Sequence, residues 1–370
     1  MSNRATSPGL WALAWRRLRA DKVAMASLAV VTAFLVMLVL SSSGLIVADW
    51  EDEVGVNYAP PTFAGAAGGP AAHSPPAPDA GLPDNPFDPL ADDIKAIRAQ
   101  MGQGAPAALD MYGVIDPLAA EIAELRAELR AGMPGDGAAK QAARRETLPF
   151  GADKWGHDVI KKTVKGAETS IVVGLVAALL AVSLGTLLGA VSGYYGGLVD
   201  DFFNWFYSIF TSIPSILMIL TVAAVLQQKG VVTIVLILGL TGWTGPYRLI
   251  RAEYMKHKGR EYVMAADAIG ASSWRKMFAH IFPNVSHVAL VQLSILVVGF
   301  IKAEVILSFL GFDVPVGVVS WGSMLNEAQN ELILGKWWQL SAAAFAMAAL
   351  VTAFSLLTDA LRDALDPKLK

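Results

Sequence analysis

The sequence predicts an all-α protein that crosses a membrane about six times. Of its 370 residues, 54% are hydrophobic and only 16% are charged, and the mean hydropathy is +0.48. Such a composition leaves too few polar side chains to surround a soluble core. Apolar runs of about 20 residues, the length that spans a bilayer, recur along the chain. They lie at approximately 23–48, 168–192, 202–226, 231–250, 287–310 and 338–358.

The first run, 23–48, follows a basic segment in residues 1–22 that contains Arg16, Arg17 and Arg19. A secretory signal peptide also has a basic start, but its apolar core is only about 7–15 residues long. Because this run is longer, it predicts an uncleaved first membrane helix, with a cleaved signal as the alternative.

An insert, residues 49–147, separates the first two runs. From Ala59 to about Pro89 it is rich in Pro, Ala and Gly, which predicts a weakly ordered tether. Further on, Asp116-Pro117 predicts the start of a helix with one apolar face. That helix either covers the protein's own outer surface, which we favour, or docks a partner.

Basic residues near the ends of the runs predict the orientation. If the N-terminus is inside, the cytoplasmic segments are 1–22, 193–201, 251–286 and 359–370, which carry most of the Lys and Arg of the short loops. Both termini are then cytoplasmic and the long insert is extracytoplasmic. Residues 148–370 form the main membrane core.

Several functions are excluded by what the sequence lacks. It contains no cysteine, so disulfides, thiolate catalysis and Cys-based metal sites are absent. A net charge of −3, with basic residues in few clusters, argues against a nucleic-acid partner. No G-x-x-x-x-G-K-[ST] phosphate loop is present, which indicates that the chain does not itself hydrolyse a nucleotide and is not an enzyme of that kind.

Small residues recur at every fourth position of the second run. This spacing forms a ridge on one helical face, where another helix can approach closely although lipid offers no hydrophobic drive for association. We therefore predict that this helix lies inside the bundle, and that Asp200 and Asp201 after it mark a water-exposed turn. The ridge residues are Ala177, Ala181, Gly185, Gly189, Gly193 and Gly197.

The loop 251–286 is too elaborate for a simple connection. Residues 261–269 are good helix formers or small, and Gly270 permits a backbone conformation that other residues resist. Residues 271–282 predict a second short helix, which Pro283 stops or redirects. Two short helices that meet at a glycine predict a rigid protrusion, here called the knob (residues 259–284), with a flat, alanine-rich surface that the groove of another protein could enclose.

The knob resembles the signature loop of ABC-importer permeases, in particular the dipeptide/oligopeptide/nickel group. The resemblance rests on EYVMAADAIGA at 261–271, followed by HIFPN at 280–284. The general signature is Glu-Ala-Ala, three residues, Gly, nine residues and Ile-x-Leu-Pro. Positions in register with it are Ala265, Ala266, Gly270 and Pro283, and positions that depart from it are Met264, His280 and Phe282.

Other segments are similar to the same group. They are LPFGADKWGHDV before the second run, SGYYGGLVD after it, and EVILSFLGF, SWGSML and LRDALDPKLK in the last third. The resemblance covers 148–370 strongly and 1–48 weakly, and the insert has no counterpart. It implies the type I ABC importer (MetI-like) permease fold, as the C-type subunit of a peptide permease pair.

The resemblance also implies a mechanism and partners. In such importers the loop is a coupling helix that docks on a cytoplasmic ATPase, so that ATP-driven closure of the ATPase dimer switches the pathway between outward- and inward-facing. The implied partners are a second homologous permease, two cytoplasmic ATPase subunits that bind ATP and Mg, and an extracytoplasmic substrate-binding protein. The implied location is the bacterial inner membrane, with no cofactor or metal in this chain. The implied coupling residues are Glu261, Tyr262, Ala265, Ala266, Gly270, Ala271, Pro283 and Asn284.

The cargo and transport class have alternatives. Peptides are the implied cargo, and nickel or another small solute is the alternative. An ion-coupled secondary transporter would show matching halves and ionisable residues at mid-membrane, which the sequence does not display clearly. A membrane-anchored scaffold would not explain the ridge or the knob.

Two ionisable residues lie inside the fifth run, where charge is costly and usually functional or paired. Glu304 falls on the Glu of the family's Glu-x-x-Leu-Ser-Phe-Leu-Gly pattern, and is a candidate pathway or gate residue or else a contact within the bundle. Lys302 either snorkels to the interface or meets a carboxylate of a partner subunit.

Two further clusters have a structural interpretation. Before the second run, Asp153, His157 and Asp158 are too few to predict a metal site. We instead expect an amphipathic lead-in with three lysines in water: Lys161, Lys162 and Lys165. Three tryptophans predict an outer interfacial belt: Trp321, Trp337 and Trp338.

Overall fold

The computed structural model describes residues 10–65, 144–226, 230–312 and 317–365. The predicted helix after Asp116, and most of the predicted tether, lie outside these residues. Within the described ranges the regular structure is helical, with only isolated β-bridges, which confirms the all-α prediction. The chain separates into two compact units, residues 1–63 with 147–370, and residues 64–146, and the following description concerns the first unit.

We number the helices of the described residues in chain order. They are α1 Leu10–Ala20, α2 Lys22–Ser42, α3 Val159–Tyr195, α4 Gly197–Ser212, α5 Ser215–Leu226, α6 Val231–Thr241, α7 Thr244–Lys258, α8 Glu261–Ala268, α9 Ser273–Arg275, α10 Phe282–Phe309, α11 Trp321–Ile333 and α12 Trp338–Leu365. A π-helical turn, Lys276–Ile281, joins α9 to α10.

Four helices of the described residues are long and apolar enough to cross a membrane: α2, α3, the continuous helix Ser273–Phe309, and α12. A fifth candidate is the pair α4 and α5, which meet at a bend of 90°. The remaining apolar helix, α6, has only 11 residues. The prediction of about six spans is therefore higher than the number that these residues give.

Local sequence explains both departures from straight spans. Pro214 has no N–H to donate and favours an extended residue before it. Ile213 accordingly has φ −101° and ψ 130°, and the predicted third span bends there. In the predicted fourth span, α6 ends at Thr241 and a turn at Gly242 and Trp243 precedes α7. The run 231–250 is thus divided between two helices.

The ridge of small residues places α3 against the backbone of α7. A Cβ atom added at Gly185 would lie 2.6 Å from the carbonyl oxygen of Trp243. At Gly189 it would lie 2.8 Å from the carbonyl oxygen of Tyr247. At Gly193 it would lie 2.6 Å from the carbonyl oxygen of Arg251, one turn further along α7. The two helices therefore pack turn for turn, with backbone atoms of α7 directly against the glycines of α3.

The ridge is one residue shorter than the sequence predicted. Ala177 and Ala181 are fully buried, and the three glycines above continue the same face. Gly197, however, is exposed and begins α4, because α3 ends at Tyr195 and the chain turns through Gly196. Its position no longer follows the α3 axis.

The segment before α3 forms a small folded layer with residues 53–62. Ala59, Leu148 and Ala152 are buried together. Backbone hydrogen bonds join the two stretches, including Ala152 N–H to the Ala59 carbonyl at 2.8 Å and Gly55 N–H to the Gly156 carbonyl at 2.9 Å. The prediction of a weakly ordered tether is therefore wrong for its first residues, from Ala59 to Phe63, because they pair with a segment that is distant in sequence.

Lys162 is buried, in contrast to the prediction that it lies in water. Its ammonium lies 2.7 Å from Asp153 and 2.6 Å from Glu327. Because Lys162 is four residues before Gly166 on the packed face of α3, its side chain points into the protein. Lys161 and Lys165 remain partly exposed and pair with Asp49 and Glu168.

The other polar residues of this lead-in have structural contacts. The Asp153 carboxylate accepts the backbone N–H of Trp155 and lies 2.9 Å from Nδ1 of His157. The neighbouring Lys162 and His157 hold the pKa of Asp153 well below its usual range despite its burial. Asp158 caps the first turn of α3 by accepting the N–H of Ile160 at 2.8 Å. These residues therefore fix the start of α3.

Two of the three predicted belt tryptophans are buried. The indole N–H of Trp321 donates to the Thr163 carbonyl at 3.0 Å, and that of Trp338 donates to the Ala152 carbonyl at 2.6 Å. Both therefore fix the lead-in to the helices, since each ring fills the core while its N–H finds a partner. Trp337 is 41% exposed, as a belt residue would be.

Glu331 is a buried carboxylate near Lys162 and its two carboxylate partners. Its side chain is 1% exposed, and neither carboxylate oxygen makes a hydrogen bond to the described residues. Burial raises the pKa of Glu331 to about 7; the Lys162 ammonium opposes this rise, and the Asp153 and Glu327 carboxylates add to it. The group is therefore partly protonated at neutral pH.

Replacing Gly189 with Leu should separate α3 from α7. The added side chain would meet backbone atoms, which cannot move aside as a flexible side chain can. We therefore expect the free energy of unfolding to fall by at least about 1–3 kcal/mol, the usual cost of an overpacked site. The measurement is the melting temperature of the purified protein in detergent. Gly299→Leu is the matched control, since no atom lies within 4 Å of a Cβ added there. Equal melting temperatures for the two variants would contradict the close contact.

Glu331 should make stability depend on pH. Its pKa is 4.5 when unperturbed and about 7 in the fold, so the folded protein binds the extra proton. This contribution is complete below about pH 4.5 and is lost as the pH rises to about 7 and above; at roughly 1.4 kcal/mol per pKa unit, it amounts to about 3.5 kcal/mol at most.

The Glu331→Gln variant should therefore melt at a higher temperature than the native protein at pH 8, with a smaller difference at pH 5. Melting curves between these values measure the effect. Asp359→Asn, which changes an exposed carboxylate, is the control. The same pH slope in Glu331→Gln and in the native protein would rule out the effect.

Candidate functional site

The first half of the knob has the predicted form. α8 follows Arg260, whose backbone is extended, and ends at Ile269. Gly270 has φ +79°, a left-handed conformation that side chains other than glycine resist. Ser272 then caps α9 by accepting the N–H of Arg275 at 3.4 Å. The glycine therefore makes the turn between two helical segments, as its sequence position indicated.

The second half differs from the prediction, because Pro283 does not stop the helix. The π-helical turn Lys276–Ile281 carries α9 directly into α10, and the Phe282 N–H bonds to the Met277 carbonyl five residues earlier. The wider turn accommodates a proline that lacks an N–H. In addition, Nδ2 of Asn284 donates to the His280 carbonyl at 2.8 Å. The knob is thus continuous with a membrane-spanning helix.

The knob has one buried and one exposed face. Val263 and Ala266 are each 4% exposed and pack towards α7 and the π-helical turn. The prediction that Ala266 belongs to the flat outer surface is therefore wrong, because this alanine lies one turn from Val263 on the buried face of α8. The outer face is apolar and carries Met264, Ile269 and Trp274, which are 56%, 83% and 58% exposed.

The other predicted coupling residues lie on or beside this outer face. Glu261 is exposed in the first turn of α8, and the Tyr262 hydroxyl lies 2.8 Å from Nδ1 of His257. Ala265 and Gly270 are exposed and Ala271 is half-buried. Exposed residues at the base of the knob, where α10 begins, are Pro283 and Asn284.

Polar contacts attach the knob to α7. The Tyr254 hydroxyl donates to the Met277 carbonyl at 3.1 Å. Burial raises the pKa of Tyr254 above its usual range, so it remains a donor. Within the knob, Lys276 pairs with Asp267 across the Gly270 turn. The knob is therefore held against the bundle on both sides of its glycine.

A cluster around Asp200 joins three helices next to the knob. Arg251 of α7 donates from Nε and Nη2 to Asp200 of α4, at 2.6 and 2.5 Å. Ser192 of α3 donates to the same carboxylate at 2.5 Å and lies 3.0 Å from the Tyr247 hydroxyl. Asp200 is thus not a simple water-exposed turn residue as predicted, since its partner lies 51 residues away in sequence.

Together these contacts allow a mechanical role. α3 and α7 touch through backbone atoms, the Asp200 cluster fastens their ends to α4, and the knob rests on both while it continues into α10. A force on the knob would therefore move several helices together. Among the described residues, no three His, Asp or Glu side chains are arranged to hold a metal ion.

Glu304 lies deep in the bundle. It is fully buried and accepts hydrogen bonds from Ser170 at 2.9 Å and Ser308 at 3.0 Å. Ser170 in turn accepts the backbone N–H of Trp321 at 3.1 Å. Glu304 therefore links α3, α10 and α11, as the bundle-contact interpretation expected, whereas its role as a gate stays a prediction.

Comparison with known proteins agrees with this arrangement. Residues 185–370 match the family described as "Binding-protein-dependent transport system inner membrane component". Residues 9–61 match the family described as "N-terminal TM domain of oligopeptide transport permease C". The match at 9–61 includes the first residues of the insert, and the match at 185–370 begins within α3.

Individual relatives are also similar to this chain. The dipeptide transport system permease protein DppC of Bacillus subtilis (strain 168) is 35% identical over 237 residues, or 62% of this chain and 74% of the relative. The oligopeptide transport system permease protein OppC of the same organism is 36% identical over 221 residues, or 60% and 72%. The di/tripeptide transport system permease protein DppC of Pseudomonas aeruginosa (strain UCBPP-PA14) is 31% identical over 221 residues, or 60% and 72%.

The family matches, the multi-pass helical bundle and the knob with its signature residues lead to one conclusion. The chain belongs to the family of inner membrane components of binding-protein-dependent transport systems, and it is a permease subunit of an ABC importer.

Proposed function

We propose that this chain forms half of a pathway for di- and oligopeptides across the bacterial inner membrane. A second homologous permease forms the other half, two cytoplasmic ATPases drive the cycle, and an extracytoplasmic binding protein delivers the cargo. The peptide cargo is supported by the names of the relatives above. Nickel or another small solute remains the alternative cargo.

The observation that carries the coupling role is the apolar outer face of the knob. Ile269, at its tip, is 83% exposed beside Gly270. Burying such a side chain in a partner's groove is favourable. Since the knob continues into α10 and rests on α7, closure of a partner around it would turn the membrane helices as a group. The proposed coupling residues are Glu261, Tyr262, Ala265, Gly270, Ala271, Pro283 and Asn284.

The same proposal sets the orientation and the division of labour. The knob faces the cytoplasm, where nucleotide is available, and both termini lie on that side, in agreement with the basic residues of residues 1–22 and 251–286. ATP and Mg are bound by the partner ATPases, and this chain carries no catalytic residue.

Replacing Ile269 with Glu should abolish docking of the ATPase. A charge at the centre of an apolar contact is left without a partner, so we expect the ATPase subunits to be lost from the purified complex and peptide uptake to fall at least roughly tenfold. The measurements are co-purification in mild detergent and uptake by proteoliposomes. Ile333→Glu is the matched control, because this residue is equally exposed at the end of α11, far from the knob in the sequence. Normal co-purification of the Ile269 variant would contradict the docking role.

Substitutions at Gly270 test whether coupling needs the turn of the knob as well as its exposed surface. Gly270→Leu strains the left-handed backbone and should uncouple ATP hydrolysis from uptake, while Gly270→Asn should retain coupling because Asn tolerates this conformation. Gly259→Leu, at an exposed glycine with negative φ, is the control. Uptake and ATPase rates of the assembled transporter are measured together. Full coupling in Gly270→Leu would show that the turn is not needed.

A further inference from the structure

Lys302 is a charged residue in the membrane helix α10, and none of the contacts described above involves it. It lies in α10, seven residues before the helix ends at Phe309, and therefore about 10 Å inside that end at 1.5 Å per residue. Its side chain is exposed and makes no ion pair or hydrogen bond with the residues that the structure describes. An ammonium group at this depth requires water or an anion.

Snorkelling does not supply water easily. Long side chains of an α-helix point back towards its N-terminus. Because Lys302 lies nearer the C-terminal end of α10, this preference directs its side chain away from that end and towards the middle of the helix. Apolar residues above and below it on the same face, Ile295, Ile306 and Phe309, are 45%, 45% and 52% exposed and offer no polar group.

The carboxylates in the same part of the bundle are already engaged. Glu304 accepts hydrogen bonds from two serines. Glu168 of α3 lies 2.9 Å from Lys165 and 2.8 Å from the Ser41 hydroxyl. Lys302 therefore faces outwards with its charge available to a group outside this chain.

Open space lies next to Lys302 on α10. Gly299 is one turn towards the N-terminus of α10, and no atom lies within 4 Å of a Cβ added there. The direction of the lysine side chain places its head over this glycine. A cation beside a small residue gives a carboxylate room to approach, and charge-assisted hydrogen bonds of this type are strong.

We propose that Lys302 is a carboxylate-binding site on the translocation pathway, and that it takes the C-terminal carboxylate of a peptide in transit. This inference rests on the proposed function, because it assumes a cargo with a free carboxylate. Lys302 would attract the peptide into the membrane part of the pathway, and the open space at Gly299 would let the peptide pass on. Two alternatives compete with this proposal: Lys302 pairs with a carboxylate of the second permease, or Lys302 faces lipid.

Cysteine substitution tests all three occupants, since the chain has no cysteine of its own. The complete transporter with Lys302→Cys is reconstituted in proteoliposomes, and peptide uptake is measured before and after treatment with aminoethyl methanethiosulfonate, which restores a lysine-like cation. We expect uptake to fall roughly tenfold, the value of one charge-assisted hydrogen bond, and to recover with this reagent but not with its anionic sulfonatoethyl analogue. Peptide cargo should slow the labelling.

Two controls define the background. Phe345→Cys, 77% exposed on α12, should resist water-soluble reagents if its face contacts lipid. The transporter with the unsubstituted chain reports any labelling of the partner subunits.

Other outcomes overturn the proposal. No labelling of Lys302→Cys in the assembled transporter indicates a lipid-facing or subunit-covered position, and loss of the second permease from the complex indicates an ion pair between subunits. Labelling that peptide does not slow, or equal recovery with both reagents, removes the carboxylate role. If the unsubstituted transporter takes up no peptide at all, the proposed cargo fails instead, while labelling still reports whether Lys302 meets water.

Discussion

The contact between the backbones of α3 and α7 is the constraint on which the rest of the structure depends. Lipid gives membrane helices no hydrophobic reason to associate, so close packing and polar contacts must supply the attraction. Glycine at every fourth position of α3 brings its surface against the carbonyl groups of Trp243, Tyr247 and Arg251, which lie one turn apart at the start of α7 and along it. At the end of this contact, Arg251 and Ser192 both bind Asp200. The knob then packs against helices that these contacts hold together.

Rigidity at both ends of the bundle has a common origin in satisfied polar groups. Beside the knob, the π-helical turn and Asn284 compensate for the N–H that Pro283 lacks, so the helix continues. At the start of α3, Lys162 binds two carboxylates, and two indole N–H groups bind backbone carbonyls. Hence a displacement of the knob would be transmitted through helices rather than absorbed at a hinge.

Features that depend on nearby residues could be predicted from the sequence. Hydropathy gave the apolar runs, the four-residue spacing gave most of the ridge, and Gly270 gave the turn of the knob. Features that depend on distant residues could not. Lys162 is predicted to be solvated because local sequence patterns carry no information about Glu327, 165 residues away. Asp200 and Trp338 were placed in water or at the interface for the same reason, since their partners lie on other elements.

The distribution of satisfied and unsatisfied groups separates structural from functional residues in this chain. Glu304, Asp200 and Lys162 are charged, and each contacts polar side chains of the same chain. These contacts offset the free-energy cost of removing each charge from water. Two exposed residues have the roles proposed above: Ile269 presents apolar surface at the tip of the knob, and Lys302 presents a charge on an exposed face of α10. An importer subunit must expose surface for the partner that drives it and for the cargo that passes it. These two residues have the chemistry that each role requires.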